Sequence, residues 1–359
     1  MSKMHRIAVI EGDGVGPRVI RETLKAAGVM KKKYRLPIQW DTYPFSADYY
    51  LKEGITIPGT VFREWPEKYS AILLGALGDP RVKSNVHADE ILMGLRLKLD
   101  LYVNFRPVKL INKKYCPLKS VTHENQVDFV VFRENTEDLY VNMGGSFKKD
   151  TDQETAVENS VHTCKGVERI LRAAFAYAGK TGRSSVMMGD KSNVMKYAGD
   201  LWQRLFSRIG KEFPDVKKEH MYIDALCMEV IKNPSRFDVV VTSNMFGDIL
   251  TDVAAQVQGG MGMAASVNYN PSYKKFLGLY EPVHGSAPDI AEKNTCNPMA
   301  SILSFQLLLQ HLGYAKEAAV VYGAVAKALE EGNVTPDLGG KCSTTEVGDL
   351  ICSYIEDVK

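Results

Sequence analysis

Short β-rich runs alternate with amphipathic helical patterns along most of this chain, the signature of an α/β protein built on a largely parallel sheet. The strand candidates are Arg6–Ile10, Ala71–Leu74, Phe129–Phe132, Ser185–Met188 and Val239–Thr242. Between them lie stretches such as Val161–Ala178, which sets Val167, Ile170, Leu171, Ala174 and Phe175 on one helical face. From about Met299 the pattern is that of two or three helices, around "SILSFQLLLQHLG" and "AAVVYGAVAKALEEG", with Gly332 as a stop. A chain of 359 residues favours two lobes over a single core. No Pro-, Gly- or Ser-rich tether and no repeat separates them, so the lobes must be interwoven. The polar segment Val141–Asn159 reads equally as a surface loop or an extended arm.

Charge excludes some classes of partner. Lys and Arg total 45 against 43 for Asp and Glu, a net of +2. That balance gives no reason to expect nucleic acid or a membrane surface as partner. The run Lys31-Lys32-Lys33 reads as a solvated helix end. No apolar run reaches membrane-span length, and no signal-peptide core precedes the strand that begins by about His5. The six cysteines, Cys116, Cys164, Cys227, Cys296, Cys342 and Cys352, form no C-x-x-C pair. Reduced thiols in a cytoplasm are therefore expected, without a zinc knuckle or disulfide framework.

Several motifs carry chemistry. In "IAVIEGDGVGPRV", Gly12, Gly14 and Gly16 follow a strand. They suit either a phosphate approach or a tight turn, and the spacing is not the G-x-G-x-x-G of a dinucleotide fingerprint. In "SNMFGDILTDVAAQ", Asp248 and Asp252 stand one helical turn apart on a common face. Two carboxylates so close repel unless a cation lies between them, and hard oxygen donors suit Mg²⁺ or Mn²⁺. The alternative is a pair of solvated aspartates, which the apolar flanks Phe246, Ile249, Leu250 and Val253, expected to be buried, argue against. Asp224, in "YIDALCM", is a candidate third ligand. Arg96, Arg106 and Arg133 could clamp two carboxylates bidentately if they converge; singly, each reads as a surface or salt-bridge arginine. Tyr140 follows the strand bearing Arg133, and Lys191 is expected at a helix start; both are candidates for proton transfer. In "YEPVHGSAPDIAEKNTCNP", Ser286 and Asp289 could embrace an adenosine, Asp289 repelling a 2′-phosphate, while His284 suits a structural role as well.

Taken in order, these motifs resemble those of the β-decarboxylating dehydrogenases, which include 3-isopropylmalate, isocitrate, homoisocitrate and tartrate/D-malate dehydrogenases. The resemblance runs from "GDGVGP" to "PDLGG" and is most specific in "FRENTEDLY", "DKSNVM", "NMFGDILTD" and "EPVHGSAPDIA". It implies that Arg96, Arg106 and Arg133 hold the malate carboxylates and that Asp224, Asp248 and Asp252 bind the metal. Tyr140 matches the acid that protonates the enolate carbon, and Lys191 the group serving the C2 hydroxyl, supplied with Asp224 across a homodimer interface. Asn193 matches a position near nicotinamide and substrate. Gly75, Glu281, His284, Gly285, Ser286, Ala287, Asp289, Ile290, Asn297 and Asp337 match cofactor contacts, and Asp289-Ile290 resembles the NAD-using members rather than the Lys-Tyr of NADP users.

The implied fold is that of isopropylmalate dehydrogenase, two interwoven α/β lobes around a central mixed sheet, and not a Rossmann fold. Residues 1–105 and 262–359 would form the cofactor lobe and 106–261 the dimerisation lobe, with 141–159 as an arm clasping the second subunit. The implied reaction is NAD- and metal-dependent oxidative decarboxylation of a small 2-hydroxy diacid. In "ADEILMGLR", Leu92 and Met93 resemble the apolar pair that receives an isopropyl group, and Glu90 and Leu92 are poor partners for a third carboxylate. The alternative is that Leu92, Met93 and Leu95 form only a core stripe. The expected order of substrates is 3-isopropylmalate, then tartrate or D-malate, then isocitrate or homoisocitrate. A non-catalytic regulatory paralogue would lack catalytic residues, and every matched position here is filled.

Overall fold

The computed structural model describes residues 4–358; residues 1–3 and 359, assigned above to the cofactor lobe, lie outside the described residues. Twelve strands are present among them. In chain order they are β1 His5–Gly12, β2 Ile38–Tyr43, β3 Ala71–Ala76, β4 Val103–Lys109, β5 Asp128–Glu134 and β6 Gly144–Phe147, then β7 Thr155–Glu158, β8 Ser185–Asp190, β9 Lys217–Tyr222, β10 Val239–Thr242, β11 Ala265–Tyr269 and β12 Leu279–Pro282. All five strands expected from sequence are among them, four of them longer by two or three residues and Val239–Thr242 with the expected bounds. Most of the others were illegible because they are short or, like β9 "KKEHMY", polar and exposed, while β4, buried and seven residues long, is interrupted by Pro107.

The chain divides into two compact units. The first runs to Leu101, then takes Lys109–Glu124 and the described residues from Ala255 onward. Its strands lie in the order β2-β1-β3-β12-β11. Pairings from β2 to β12 are parallel, and β11 runs antiparallel to β12. Helices Gly16–Tyr34, Met299–His311, Ala315–Glu331 and Thr344–Asp357 bury one continuous core containing Met30, Phe305, Val321 and Ile351. Gly332 ends its helix at φ 74°, a left-handed position that glycine takes without strain. Segment 109–124, expected in the other lobe, clusters here. Ile111 and Tyr115 pack on this core, and the Tyr115 hydroxyl donates to the Leu329 carbonyl at 2.9 Å.

The second unit comprises Tyr102–Val108 and Asn125–Ala254, with strand order β4-β5-β10-β8-β9. The pairings β5–β10, β10–β8 and β8–β9 are parallel. The helix expected over Val161–Ala178 spans Cys164–Thr181 instead, because the Thr163 hydroxyl caps it by accepting from the Gly166 amide. Its stripe Val167, Ile170, Leu171, Ala174 and Phe175 is fully buried, as the spacing required. Segment 141–159 contains an exposed antiparallel hairpin, β6 with β7, whose base is closed by a bridge between Asp138 and Val161. No described helix is long and apolar enough to cross a membrane.

Glu134, at the end of β5, is buried and accepts from the Thr136 amide and hydroxyl and from the Glu137 amide. Burial pushes its carboxyl up to about 7, although those donors pull the other way. Because the folded pKa is the higher one, this group contributes stability at low pH that is lost as pH rises through the folded value. Glu134→Gln should therefore compare more favourably with the wild type near pH 8 than near pH 5. Thermal midpoints of both proteins across that range check it, and a pH-independent difference refutes it.

Candidate active site

Strand β5 delivers Arg133 to its C-terminal end, where the side chain is only 1% exposed. Asn244 and Asp248 answer the guanidinium from the helix Asn244–Val257. The Nε–H donates to Asn244 Oδ1 at 2.8 Å, and Nη1 pairs with Asp248 Oδ1. Arg106, from β4, is 7% exposed. It lies 3.5 Å from Asp248 and 3.9 Å from Asp252, and donates to the Thr251 hydroxyl. The Tyr140 hydroxyl donates to Asp248 Oδ2 at 2.6 Å, with the Arg133 guanidinium 5.1 Å from its ring centre. Thus two buried cations, two aspartates and a phenol share one cluster, with the aspartates on its solvent side at 39% and 57% exposed. Partial burial, with the Asp248 charge adding, raises the Asp252 pKa against the pull of Arg106 and Arg133.

Lys191 follows β8 directly and precedes the helix Lys196–Gly210 by a full turn of chain. It is therefore not at the helix start expected from sequence but on the turn that leads to it. Its ammonium pairs with Asp224 at 2.5 Å, which holds that carboxyl below the usual range. Asn193 is exposed on the same turn. Asp190 anchors the turn, its carboxylate meeting His220 at 2.8 Å, Gln203 at 2.7 Å and the Ser192 amide at 3.1 Å. Among the described residues no three His, Cys, Asp or Glu side chains of one chain are grouped to hold a metal. Asp224 therefore does not join Asp248 and Asp252 within the chain. The two helical aspartates form an all-oxygen donor pair that fits Mg²⁺ or Mn²⁺ and needs a further ligand. Of the expected apolar flank, Leu250 is buried, but Ile249 is 50% exposed. That correction follows from helix geometry: Ile249 projects away from the Leu250 side of the helix and is left half open to solvent.

The first unit holds the rest of the predicted residues. Arg96 is buried and pairs with Glu281 at 2.8 Å, and Asn268 donates to the same carboxylate at 2.7 Å. Glu281, expected as a cofactor contact, is thus engaged by Arg96. Before Arg96 the helix relaxes into a π-helical turn, Asp89–Met93. Ile91 and Leu95 carry the core side of that turn, leaving Leu92 and Met93 half-buried. The Glu90 carboxylate is taken by the Thr56 hydroxyl at 2.6 Å. The glycine turn after β1 is a packing device. A Cβ on Gly12 would stand 1.9 Å from the Ala76 carbonyl oxygen, and one on Gly14 2.0 Å from that of Ser286. Gly75 is likewise closed in by the Glu11 carbonyl.

The loop of His284–Ile290 is thereby pinned to the turn, the Val15 amide donating to Ser286 O at 2.8 Å. His284 Nε2 is buried without a hydrogen-bond partner, and burial lowers the pKa of the ring. Gly285 and Asp289 are exposed, and Ala287 and Ile290 pack beside Val15 and Val19. Asn297 donates to Asp337 at 3.1 Å. An orphaned imidazole nitrogen, an open glycine, an apolar patch and a free carboxylate are groups that a dinucleotide would satisfy.

A family model described as isocitrate/isopropylmalate dehydrogenase matches residues 6–351. The chain belongs to that family. It is 44% identical to the 3-isopropylmalate dehydrogenase of Thermobifida fusca over 98% of both chains. It is 42% identical to that of Streptomyces coelicolor over 99% of both. Among solved structures, isocitrate dehydrogenase from Methylococcus capsulatus superimposes with a TM-score of 0.88 at 34% identity, covering 99% of this chain and all of that one. The α/β fold expected from sequence is therefore that of a family of decarboxylating dehydrogenases.

Sequence reasoning missed Asp138, Asn244, Gly247 and Thr251, which hold the family motifs in place rather than marking a reaction. Only their position inside "FRENTEDLY" and "SNMFGDILTD" hinted at them. Gly247 is the sharpest case, because a Cβ there would lie 2.6 Å from Arg133 Cγ. Gly247→Ala should cost about 1–3 kcal/mol through overpacking, despite alanine's better helix propensity. It should also raise KM for the hydroxy acid by displacing the guanidinium. Denaturation midpoints and steady-state kinetics measure both, and wild-type values would refute the packing argument.

Proposed function

We propose that this chain oxidises 3-isopropylmalate with NAD and a divalent cation, Mg²⁺ or Mn²⁺, and removes its β-carboxylate, the leucine-pathway reaction. The clustering of Arg106, Arg133, Tyr140, Asp248 and Asp252 carries the reading. Arg106, Arg133 and Arg96 hold the substrate carboxylates through charge-assisted forks, each already oriented by a protein carboxylate. Lys191, in its neutral amine form, takes the C2 hydroxyl proton, and the Tyr140 hydroxyl delivers its proton to C3. When bound, NAD accepts the hydride and the cation stabilises the negative charge that develops as CO₂ departs. Asp248, Asp252 and a partner subunit's copy of the 224 carboxylate hold that cation. His284, Asp289 and Ile290 embrace the adenosine, and Asp289 disfavours a 2′-phosphate. Asn193 stands near the nicotinamide. The first unit serves as the cofactor lobe and the second as the dimerisation lobe, with the hairpin as its arm. Six unpaired thiols suit a cytoplasmic enzyme.

Leu92 and Met93, with Glu90 already satisfied by Thr56, favour an apolar group at C3 over a third carboxylate. Initial rates with 3-isopropylmalate, D-malate, tartrate, isocitrate and homoisocitrate, each with NAD and NADP, test the assignment. The expected result is kcat/KM highest for 3-isopropylmalate with NAD, by about 10-fold or more, since each methylene in an apolar pocket is worth about 10–200-fold. One CO₂ should leave per NADH, and chelation should abolish turnover. Preference for isocitrate or D-malate would replace the substrate, and absence of all activity would remove the enzyme reading.

A homodimer is supported by apolar side chains left uncovered on the two helices that bear the acids. They are Met228 and Ile231 on Ile223–Lys232, and Met245 and Ile249 on Asn244–Val257. If Lys191 and Asp224 serve the partner's site, Lys191→Met and Asp252→Asn homodimers should each be inactive. The mixture made by refolding them together should regain up to about a quarter of wild-type activity, because about half of its dimers are hybrids and one of the two sites in each hybrid is intact. No recovery, with hybrid formation shown by mass, would place each site within one chain.

A further inference from the structure

Beyond the groups that touch substrate, one buried acid governs how Tyr140 is presented. We propose that Asp138 is a positioning residue. Its carboxylate locks the turn carrying Tyr140 both to the start of the aspartate-bearing helix and to the returning limb of the hairpin, so the seating of the hairpin sets the position of the Tyr140 hydroxyl. The inference rests on the reading of Tyr140 as proton donor.

Asp138 is 3% exposed and has φ 69° and ψ −145°, a region that glycine, rather than an acid, ordinarily occupies. What retains the acid there is its carboxylate, whose acceptor sites are all filled. Oδ2 accepts from the Ser243 hydroxyl at 2.8 Å and the Met245 amide at 3.1 Å, both at the start of the helix that carries Asp248 and Asp252. Oδ1 accepts from the Leu139 amide at 3.0 Å and from the Ser160 hydroxyl. The main chain adds a bond from the Asp138 amide to the Val161 carbonyl at 2.8 Å. Hairpin base, Tyr140 turn and helix start therefore meet on one side chain, while the Tyr140 hydroxyl reaches Asp248 at 2.6 Å.

A one-way chain of donors feeds this acid. Trp202 Nε1–H donates to His162 Nδ1 at 3.2 Å, which leaves Nε2 to donate to Ser160 Oγ at 2.7 Å, and Ser160 in turn donates to Asp138. Burial lowers the His162 pKa against the pull of Asp138 and Glu137, keeping the ring neutral as the chain requires. Neither His162 nor Trp202 has a place in the reaction, and both are explained as supports for the link between hairpin and turn.

Asp138→Asn keeps the shape but loses an acceptor oxygen, and Asp138→Gly relieves the backbone while deleting the carboxylate. Each is to be made alone and with Tyr140→Phe. The expected result is a fall in kcat of about 10–100-fold, the scale of a small misplacement at a reacting group. KM values should stay within about threefold, and no further loss should appear in the Tyr140→Phe background. Ser160→Ala, which cuts only the hairpin link, should show a smaller loss with the same non-additivity, and it carries the comparison if the Asp138 variants do not fold. Normal kcat in these variants, or an equal loss with and without Tyr140, overturns the proposal. Normal turnover in Tyr140→Phe alone would instead remove Tyr140 as donor, a result visible without touching Asp138, and the proposal would fall with it.

Discussion

The buried guanidinium of Arg133 is the constraint around which the second unit is arranged. It is the largest fully buried side chain in the described structure, and an unanswered charge there would be prohibitive. Asn244 and Asp248 answer it from one helix, and Gly247 removes the Cβ that would otherwise strike the arginine stem. The helix is placed so that all three conditions are met together. The same placement carries Asp252 and Thr251 to Arg106. Removing the Asp248 carboxylate would take one of the partners from a guanidinium that is itself buried, so the electrostatics of the site and the stability of the unit are a single problem.

The charges are arranged asymmetrically. The arginines are shielded while the acids open toward solvent, so a ligand meets carboxylates first and finds cations fixed beneath them. An arrangement already oriented by its own hydrogen bonds spends little binding energy on reorganisation. Lys191 and Asp224 form a second, more exposed pair apart from this cluster. The apolar side chains bared on the neighbouring helices give that separation its meaning in the proposed dimer, where each chain would complete the other's site.

In the first unit, glycines do work that their spacing does not reveal. The turn after β1 looks like a phosphate loop that has lost a residue, yet the Ala76 and Ser286 carbonyls fill the space where side chains would stand. Its consequence is mechanical. The segment expected to hold the adenosine is fastened to the first strand and helix, so its exposed Gly285 and Asp289 are presented from a fixed base. Arg96 is held in a comparable way by Glu281 and Asn268.

By itself the sequence determined the α/β class, five of the strands, the buried stripe of the first helix of the second unit, and the motifs that mark the family. These are local properties, because apolar period and short motifs report the environment of neighbouring residues. It also placed Asp248 beside Asp252, since one helical turn suffices for that. Tertiary structure alone decided which charges meet. Arg133 and Asp248 are 115 positions apart, and Arg96 and Glu281 are 185 apart. The helix register shifted because a threonine cap outranked the apolar pattern, and Ile249 emerged exposed because periodicity reports which residues are apolar but not what covers them. Asp138 stayed invisible for the same reason: its role consists of partners brought from three segments, and no stretch of sequence contains them together.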